Sequence, residues 1–118
     1  MTTITEKLKD LNSLVLEGKA LDAFEKYYHD EVSMHENDSQ PTVGKEANRL
    51  REQEFFGSIT EFRGAEVVQV TAINENLSLV VWKYDYTHKD WGVRNYQQVS
   101  VQHWKDGKII REQFIYNN

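Results

Sequence analysis

The 118-residue sequence contains no cysteine, one proline and six glycines. Without cysteine, a disulfide framework and a thiolate metal site are both excluded. Because proline and glycine most often interrupt regular structure, their scarcity predicts long helices and strands. No apolar run approaches the roughly 20 residues of a membrane-spanning helix, and the start MTTITEKLKD lacks the apolar segment of a signal peptide. We therefore expect a cytoplasmic protein that does not enter a membrane.

Positive charge is also scarce. The sequence has 14 Lys and Arg residues and 19 Asp and Glu residues, for a net charge of −5. A general nucleic-acid-binding protein needs a basic surface to neutralise phosphates, so we expect no nucleic-acid partner. Aromatic side chains, in contrast, are abundant: three Trp, six Tyr and five Phe. The length matches the commonest size of a folded unit, so residues 1–118 are predicted to form a single domain.

The start of the chain has helical spacing. Thr3 and Glu6 form a capping-box pattern, and apolar residues follow at helical intervals until Gly18, a typical helix end. A second helix is predicted over residues 20–28, and a short strand over the middle of residues 27–38.

A third helix is predicted over residues 44–58, after a polar loop at 37–43 that holds the single proline. Its pattern predicts that Ala47, Leu50 and Phe55 face inward. This helix completes the helical first half of the chain.

The second half is rich in β-branched and aromatic residues, which are typical of strands. Asp106 and Gly107 form a strong two-residue hairpin signal. Helices followed by a meander of strands predict an α+β fold, and strands this long usually curl and enclose a pocket. The predicted strands are residues 64–73, 77–88, 93–105 and 108–116.

Several segments together resemble a known family: FEKYYHDEVSMHEND, VGKEANRLREQEFF, LVVWKYDYTH and HWKDGKIIREQF. They resemble the nuclear-transport-factor-2-like superfamily, and within it the SnoaL-like polyketide-cyclase and ketosteroid-isomerase branches. The resemblance extends over residues 4–116. It implies a cone-shaped curved antiparallel sheet with three N-terminal helices enclosing a pocket.

Glu36 is the candidate catalytic residue. Side chains alternate along a strand, so Glu36 shares a face with Val32 and Met34, which are apolar. A carboxylate on such a face either reaches water at the strand end or lines a cavity that uses it. The resemblance implies the second alternative, with Glu36 as a general base whose pKa burial would raise.

The resemblance also shows departures from steroid-isomerising relatives. Leu11 or Asn12 lies where those relatives carry an oxyanion-binding Tyr, and Ser100 lies where they carry a second acid. Because oxyanion stabilisation is usually the largest contribution to such catalysis, we do not expect ketosteroid isomerisation.

Strand alternation predicts an inner sheet face that is aromatic and polar, and that also carries Ile110, Phe114 and Tyr116. The alternative is a solvent-facing surface, with Val99 and Val101 marking the true core. The resemblance favours a pocket for a small hydrophobic or aromatic molecule. The predicted substrate-binding residues are Trp82, Tyr84, Tyr96, Gln98, Ser100, Gln102, Glu112 and Phe55.

Two classes of function remain open: a lyase or isomerase-like enzyme that transfers a proton, and a non-catalytic binding module or interaction domain with the same fold. No cofactor motif occurs. Metal binding is not expected, because His35 lies on the opposite strand face from Glu36. The outer sheet face, with Val99 and Val101, is expected to form a homodimer.

Overall fold

The structure is a computed structural model that describes residues 3–117. Its described part contains three helices and six strands. The helices are α1 (Ile4–Leu16), α2 (Ala20–Tyr27) and α3 (Lys45–Gly57). The strands are β1 (Tyr28–Glu36), β2 (Thr42–Val43), β3 (Ile59–Asn74), β4 (Leu77–His88), β5 (Gly92–Lys105) and β6 (Lys108–Tyr116).

The strands form one open sheet in the order β2-β1-β6-β5-β4-β3. Every neighbouring pair is antiparallel except β1 and β6, which run parallel. The predicted α+β fold is confirmed, but the sheet is mixed rather than wholly antiparallel. The hairpins from β3 to β6 impose antiparallel pairing, whereas β1 is joined to the meander through a helix and can pair in either direction.

Local signals placed the helix ends and the last turn correctly. The Thr3 hydroxyl accepts a hydrogen bond from the backbone N–H of Glu6 at 3.1 Å and caps α1. Asp106 and Gly107 have φ values of 54° and 77°, the left-handed conformation that a tight hairpin turn requires. β3, however, begins at Ile59, five residues before the predicted strand at 64.

The predicted inward face of α3 is wrong in part. Leu50 is 57% exposed and Ala47 is also exposed. The buried residue is Asn48, whose side-chain amide nitrogen lies within hydrogen-bond distance of three backbone carbonyl oxygens, those of Val32, Thr42 and Gly44, and shares its two hydrogens among them. These hydrogen bonds fix the start of α3 against β1 and β2, so polar contacts rather than apolar packing set the orientation of this helix.

The prediction that Ile110 faces inward is also wrong. The pairing of β5 with β6 shifts after His103, so that Trp104 lies opposite Ile109. This bulge turns Ile109 into the core, where it is fully buried, and leaves Ile110 half-buried. Beyond the bulge the predicted alternation holds.

The core lies between the helices and one face of the sheet. Leu8, Leu11 and Phe24 from α1 and α2 join Trp82 and Trp104 from the sheet in a single buried cluster. Within residues 3–117, none of the helices is long and apolar enough to cross a membrane. The core occupies only part of the inner sheet face, and a cavity occupies the rest.

Candidate functional site

A cavity of about 1060 Å³ lies between the three helices and the inner face of the sheet. Every residue that the sequence predicted for the site lines it: Glu36, Phe55, Trp82, Tyr84, Tyr96, Gln98, Ser100, Gln102 and Glu112. Alternation along β4 and β5 therefore identified the inner face correctly. What these residues do there depends on their depth and partners.

The deepest part, which we call the floor, is built around Glu112 of β6. Glu112 is 2% exposed, and its two carboxyl oxygens accept hydrogen bonds from the Tyr28 hydroxyl and from Nε2 of Gln102. Burial raises the pKa of Glu112 to about 7, although both hydrogen bonds act in the opposite direction. The floor thus holds a carboxyl group that changes its charge near neutral pH.

Glu52 of α3 supplies a second carboxyl group. Glu52 lines the cavity and is half-buried, and no hydrogen bond to its side chain occurs among the described residues. Burial, and next the charge of Glu112, raise the pKa of Glu52 to about 7. Unlike Glu112, Glu52 therefore has both oxygens free to meet a molecule in the cavity.

Tyrosine hydroxyls surround these carboxyl groups. Tyr84 stacks on Trp82 with ring centroids 5.4 Å apart, and its hydroxyl forms no hydrogen bond with the described residues. Burial and the charges of Glu112 and Glu52 raise the pKa of Tyr84, so its phenol stays protonated at neutral pH. Tyr84 is therefore a free hydrogen-bond donor close to two carboxyl groups.

The entrance, which we call the mouth, is formed by Glu36, Arg51, Arg94 and Tyr116. The Glu36 side chain is 45% exposed, and one of its oxygens lies 3.8 Å from the Arg51 guanidinium. Burial and then the Glu36 carboxylate raise the pKa of Tyr116. Glu36 thus lines the cavity but also reaches water at the strand end. Its role as general base stays a prediction.

An aromatic wall extends from α3 to the loop after β4. Phe55 lies edge-on to Tyr86 with centroids 5.6 Å apart, and it also contacts His88 and Trp91. His88 stacks on Trp91 at 3.8 Å, and its Nδ1 accepts the backbone N–H of Asp90. This wall offers flat apolar surfaces that suit a planar ligand.

The sequence did not identify Glu52, Tyr28 or Arg94 as site residues. The sequence did contain a signal for Glu52 in α3. Asn48, Glu52 and Phe55 are spaced four and three residues apart, so they share one helix face, and that face carries two polar side chains. Arg94 continues the alternation of Tyr96 on β5 and could have been found by extending that pattern by two residues.

We searched the part of the chain that the structure describes for side chains that could bind a metal ion together. No group of three or more His, Asp and Glu side chains there could hold a metal ion. His35 is buried and Glu36 is half-exposed, and both line the cavity.

Comparison with solved structures identifies the fold. A protein from Mesorhizobium loti, provisionally described as a SnoaL-like polyketide cyclase, is 29% identical, with a TM-score of 0.77 over 96% of this chain and 98% of that one. A provisionally described polyketide cyclase from Xanthomonas campestris is 19% identical, with a TM-score of 0.73 over 96% and 89%.

A nuclear-transport-factor-2-like protein of unknown function from Burkholderia pseudomallei has a TM-score of 0.81 over 99% of this chain and 92% of that one, at 10% identity, and supports the fold alone. No curated protein matches the sequence. The family model of the SnoaL-like domain matches residues 1–116, which confirms the resemblance, and the chain belongs to the SnoaL-like domain family.

Proposed function

We propose that this protein catalyses a proton transfer on a small hydrophobic or aromatic molecule, as a lyase or isomerase. The observation that carries this proposal is the pair of carboxyl groups, Glu52 from α3 and Glu112 from β6, in an aromatic cavity where burial raises both pKa values to about 7. A general acid or base works best when its pKa lies near the working pH.

The reaction follows from the free groups of the cavity. In a carbonyl compound with a C=C bond between its β and γ carbons, the Glu52 carboxylate removes a proton from the α carbon. The electron pair of the C–H bond forms a new C=C bond, and the carbonyl π pair moves onto the oxygen. The Tyr84 hydroxyl donates a hydrogen bond to that oxygen and stabilises its developing negative charge. Glu52 then returns the proton to the γ carbon as the electron pair on oxygen re-forms the C=O bond, which moves the C=C bond next to the carbonyl group and restores the carboxylate.

Glu52 is preferred to Glu112 and Glu36 because of its partners. Both oxygens of Glu112 accept hydrogen bonds from protein groups, so Glu112 holds the floor in place and tunes the charge of its neighbour. Glu36 lies half-exposed at the mouth, beside Arg51. The sequence predicted Glu36 as the general base, and we keep it as the second candidate.

Hydrogen–deuterium exchange tests this assignment. Wild-type protein in D₂O is expected to accelerate exchange next to the carbonyl of an aromatic ketone such as 4-phenyl-2-butanone, at a rate that rises with pH through about 7 as Glu52 ionises. Glu52→Gln should lower the rate by about 10²- to 10⁴-fold.

Glu36→Gln is the matched control for Glu52→Gln, and it should keep most of the exchange. If Glu36→Gln abolishes exchange and Glu52→Gln does not, Glu36 is the base.

The second candidate function is non-catalytic binding of the same class of molecule. The satisfied hydrogen bonds of Glu112 favour it, because a fully bonded buried carboxyl group is also a structural element. A protein that binds aromatic ketones and aromatic acids with no exchange in any of the ketones is a binding module.

We also propose that the chain forms a homodimer through its outer sheet face. Val99 lies between Val81 and Ile115 in the strand register, and Ile115 is 43% exposed. Val101 and Leu79 extend this apolar band on the neighbouring row. A two-fold interface that reuses the band would remove it from water.

A further inference from the structure

Arg94 lines the cavity and has no ion-pair partner among residues 3–117. It lies at the mouth and is half-buried. Its Nε atom is buried and has no hydrogen-bond partner. Because Nε has no exposed surface, a ligand meets the guanidinium through Nη1 and Nη2, which form no hydrogen bond with the described residues and are therefore open to a group that enters the cavity.

The surroundings of Arg94 provide a place for that group. Its guanidinium carbon lies 5.0 Å from the centre of the Tyr96 ring, which holds the side chain over an aromatic surface. Glu36, an acid of the same mouth, already faces Arg51. Lys19 and Arg51 also line the cavity, but each lies within 4 Å of a carboxylate, at 3.9 Å and 3.8 Å, so Arg94 is the cation left to attract an anion.

We propose that Arg94 binds the carboxylate of a small aromatic acid, whose ring lies against the aromatic wall and whose far end reaches Glu52. The planar guanidinium matches a carboxylate with two parallel N–H donors. This inference rests on the proposed function only in taking the cavity as a ligand site, so binding and not turnover tests it.

A series of neighbouring residues connects Arg94 with Glu52 along the cavity. Arg94 lies opposite Tyr86 in the strand register, and Tyr86 contacts Phe55. Glu52 precedes Phe55 by three residues on α3, which is about one helical turn of roughly 5 Å. These neighbours lead from Arg94 past Tyr86 and Phe55 to Glu52, and a single ring with a short unsaturated side chain is the ligand that we infer from them.

Cinnamate and cinnamamide are the probes, because they share a shape and differ by one charge. Quenching of Trp fluorescence reports binding. Wild-type protein should bind cinnamate about 10- to 100-fold more tightly than cinnamamide, as expected for a charge-assisted pair of hydrogen bonds. Arg94→Gln should remove this preference and leave cinnamamide affinity within about twofold. Arg111→Gln, an exposed Arg on β6, is the matched control and should keep the preference.

Other outcomes overturn the inference. Equal affinity of wild-type protein for the two probes, absence of cinnamate binding, or equal weakening of both by Arg94→Gln each refutes it. Phenyl phosphate bound more tightly than cinnamate, with loss in Arg94→Gln, assigns the site to phosphate esters instead. Should Arg94→Gln fail to fold, Arg94→Lys should bind cinnamate more weakly than wild type while keeping the charge preference.

Failure of the two proposals is distinguishable. Cinnamate selectivity without ketone exchange contradicts the proposed catalysis and leaves the carboxylate site standing. Exchange that depends on Glu52, without any preference for cinnamate over cinnamamide, supports the proposed catalysis and contradicts the carboxylate site.

Discussion

Gln102 faces Glu112 across β5 and β6, and its Nε2 donates a hydrogen bond of 3.0 Å to the Glu112 carboxyl group. The orientation of the Gln102 amide follows from its other neighbours. The Trp104 indole N–H can only donate, and it donates to Ser78 Oγ at 2.9 Å. The Ser78 hydroxyl therefore donates onward to Gln102 Oε1 at 2.8 Å, which leaves the amide nitrogen to face Glu112.

Ser78→Ala tests this directional chain. The substitution leaves both the Trp104 N–H and the Gln102 carbonyl without a partner in a buried place, which should lower the free energy of unfolding by about 1–3 kcal/mol. Ser100→Ala is the matched control, since the buried Ser100 hydroxyl accepts only one long hydrogen bond, of 3.4 Å, from Gln98. Urea unfolding measures both. A smaller loss in Ser78→Ala than in Ser100→Ala contradicts the chain.

Glu112 should make stability depend on pH. Its folded-state pKa of about 7 lies above its ordinary value of 4.5, so the folded protein binds this proton more tightly than the unfolded chain does. The stabilisation is complete below about pH 4.5 and is lost as the pH rises through 7, a change of roughly 3 kcal/mol for this group.

Glu112→Gln should remove the part of the pH dependence that Glu112 contributes, while the part contributed by Glu52, whose pKa is also raised to about 7, remains. We expect the difference in unfolding free energy between pH 5 and pH 8 to shrink relative to wild type, measured by urea titration at both values. Glu66→Gln, an exposed acid on β3, should keep the wild-type difference. An unchanged difference in Glu112→Gln would show that Glu112 titrates in its ordinary range.

Tyr84→Phe separates hydrogen bonding from packing. The ring and its stacking on Trp82 remain, so stability should change little. If the hydroxyl stabilises the enolate oxygen, ketone exchange should fall by about 10²- to 10³-fold. Tyr116→Phe removes a hydroxyl at the mouth and should have a small effect. Equal effects in the two variants would show that the Tyr84 hydroxyl does not donate a hydrogen bond to the enolate oxygen.

Val101→Glu tests the proposed dimer. A carboxylate in the apolar band would be buried without a partner at the interface, so the variant should be a monomer in light scattering while wild type is a dimer. Lys105→Glu, which adds a carboxylate at an exposed site at the end of β5, should stay dimeric. Wild-type protein that is monomeric at high concentration refutes the proposal.

Strand periodicity gave the most accurate part of the sequence-based prediction. Trp82 and Tyr84 on β4, and Gln98 and Gln102 on β5, were placed on the inner face because alternation with period two persists through the 12-residue and 14-residue strands. The same argument failed at Ile110, where a bulge inserts one residue, and bulges leave little trace in a single sequence.

The prediction of the inward face of α3 failed in part for a different reason. Apolar residues normally mark the inward face of a helix, yet here the inward face carries Asn48 and Glu52 because it borders a cavity and a set of backbone carbonyls. Sequence periodicity assumes that the interior is apolar. Where the interior is a polar cavity, that assumption selects the opposite face, and a site residue such as Glu52 is taken for a surface residue.

The parallel pairing of β1 with β6 has a consequence for how the protein is made. Met34 lies beside Glu112, far apart in the chain, so closing this contact carries a large loop entropy and belongs to the slow part of folding. During synthesis, β1 leaves the ribosome well before its partner and keeps an unpaired edge until β6 arrives. The nascent chain is therefore most prone to aggregate in that interval, and the acidic floor of the cavity is assembled last.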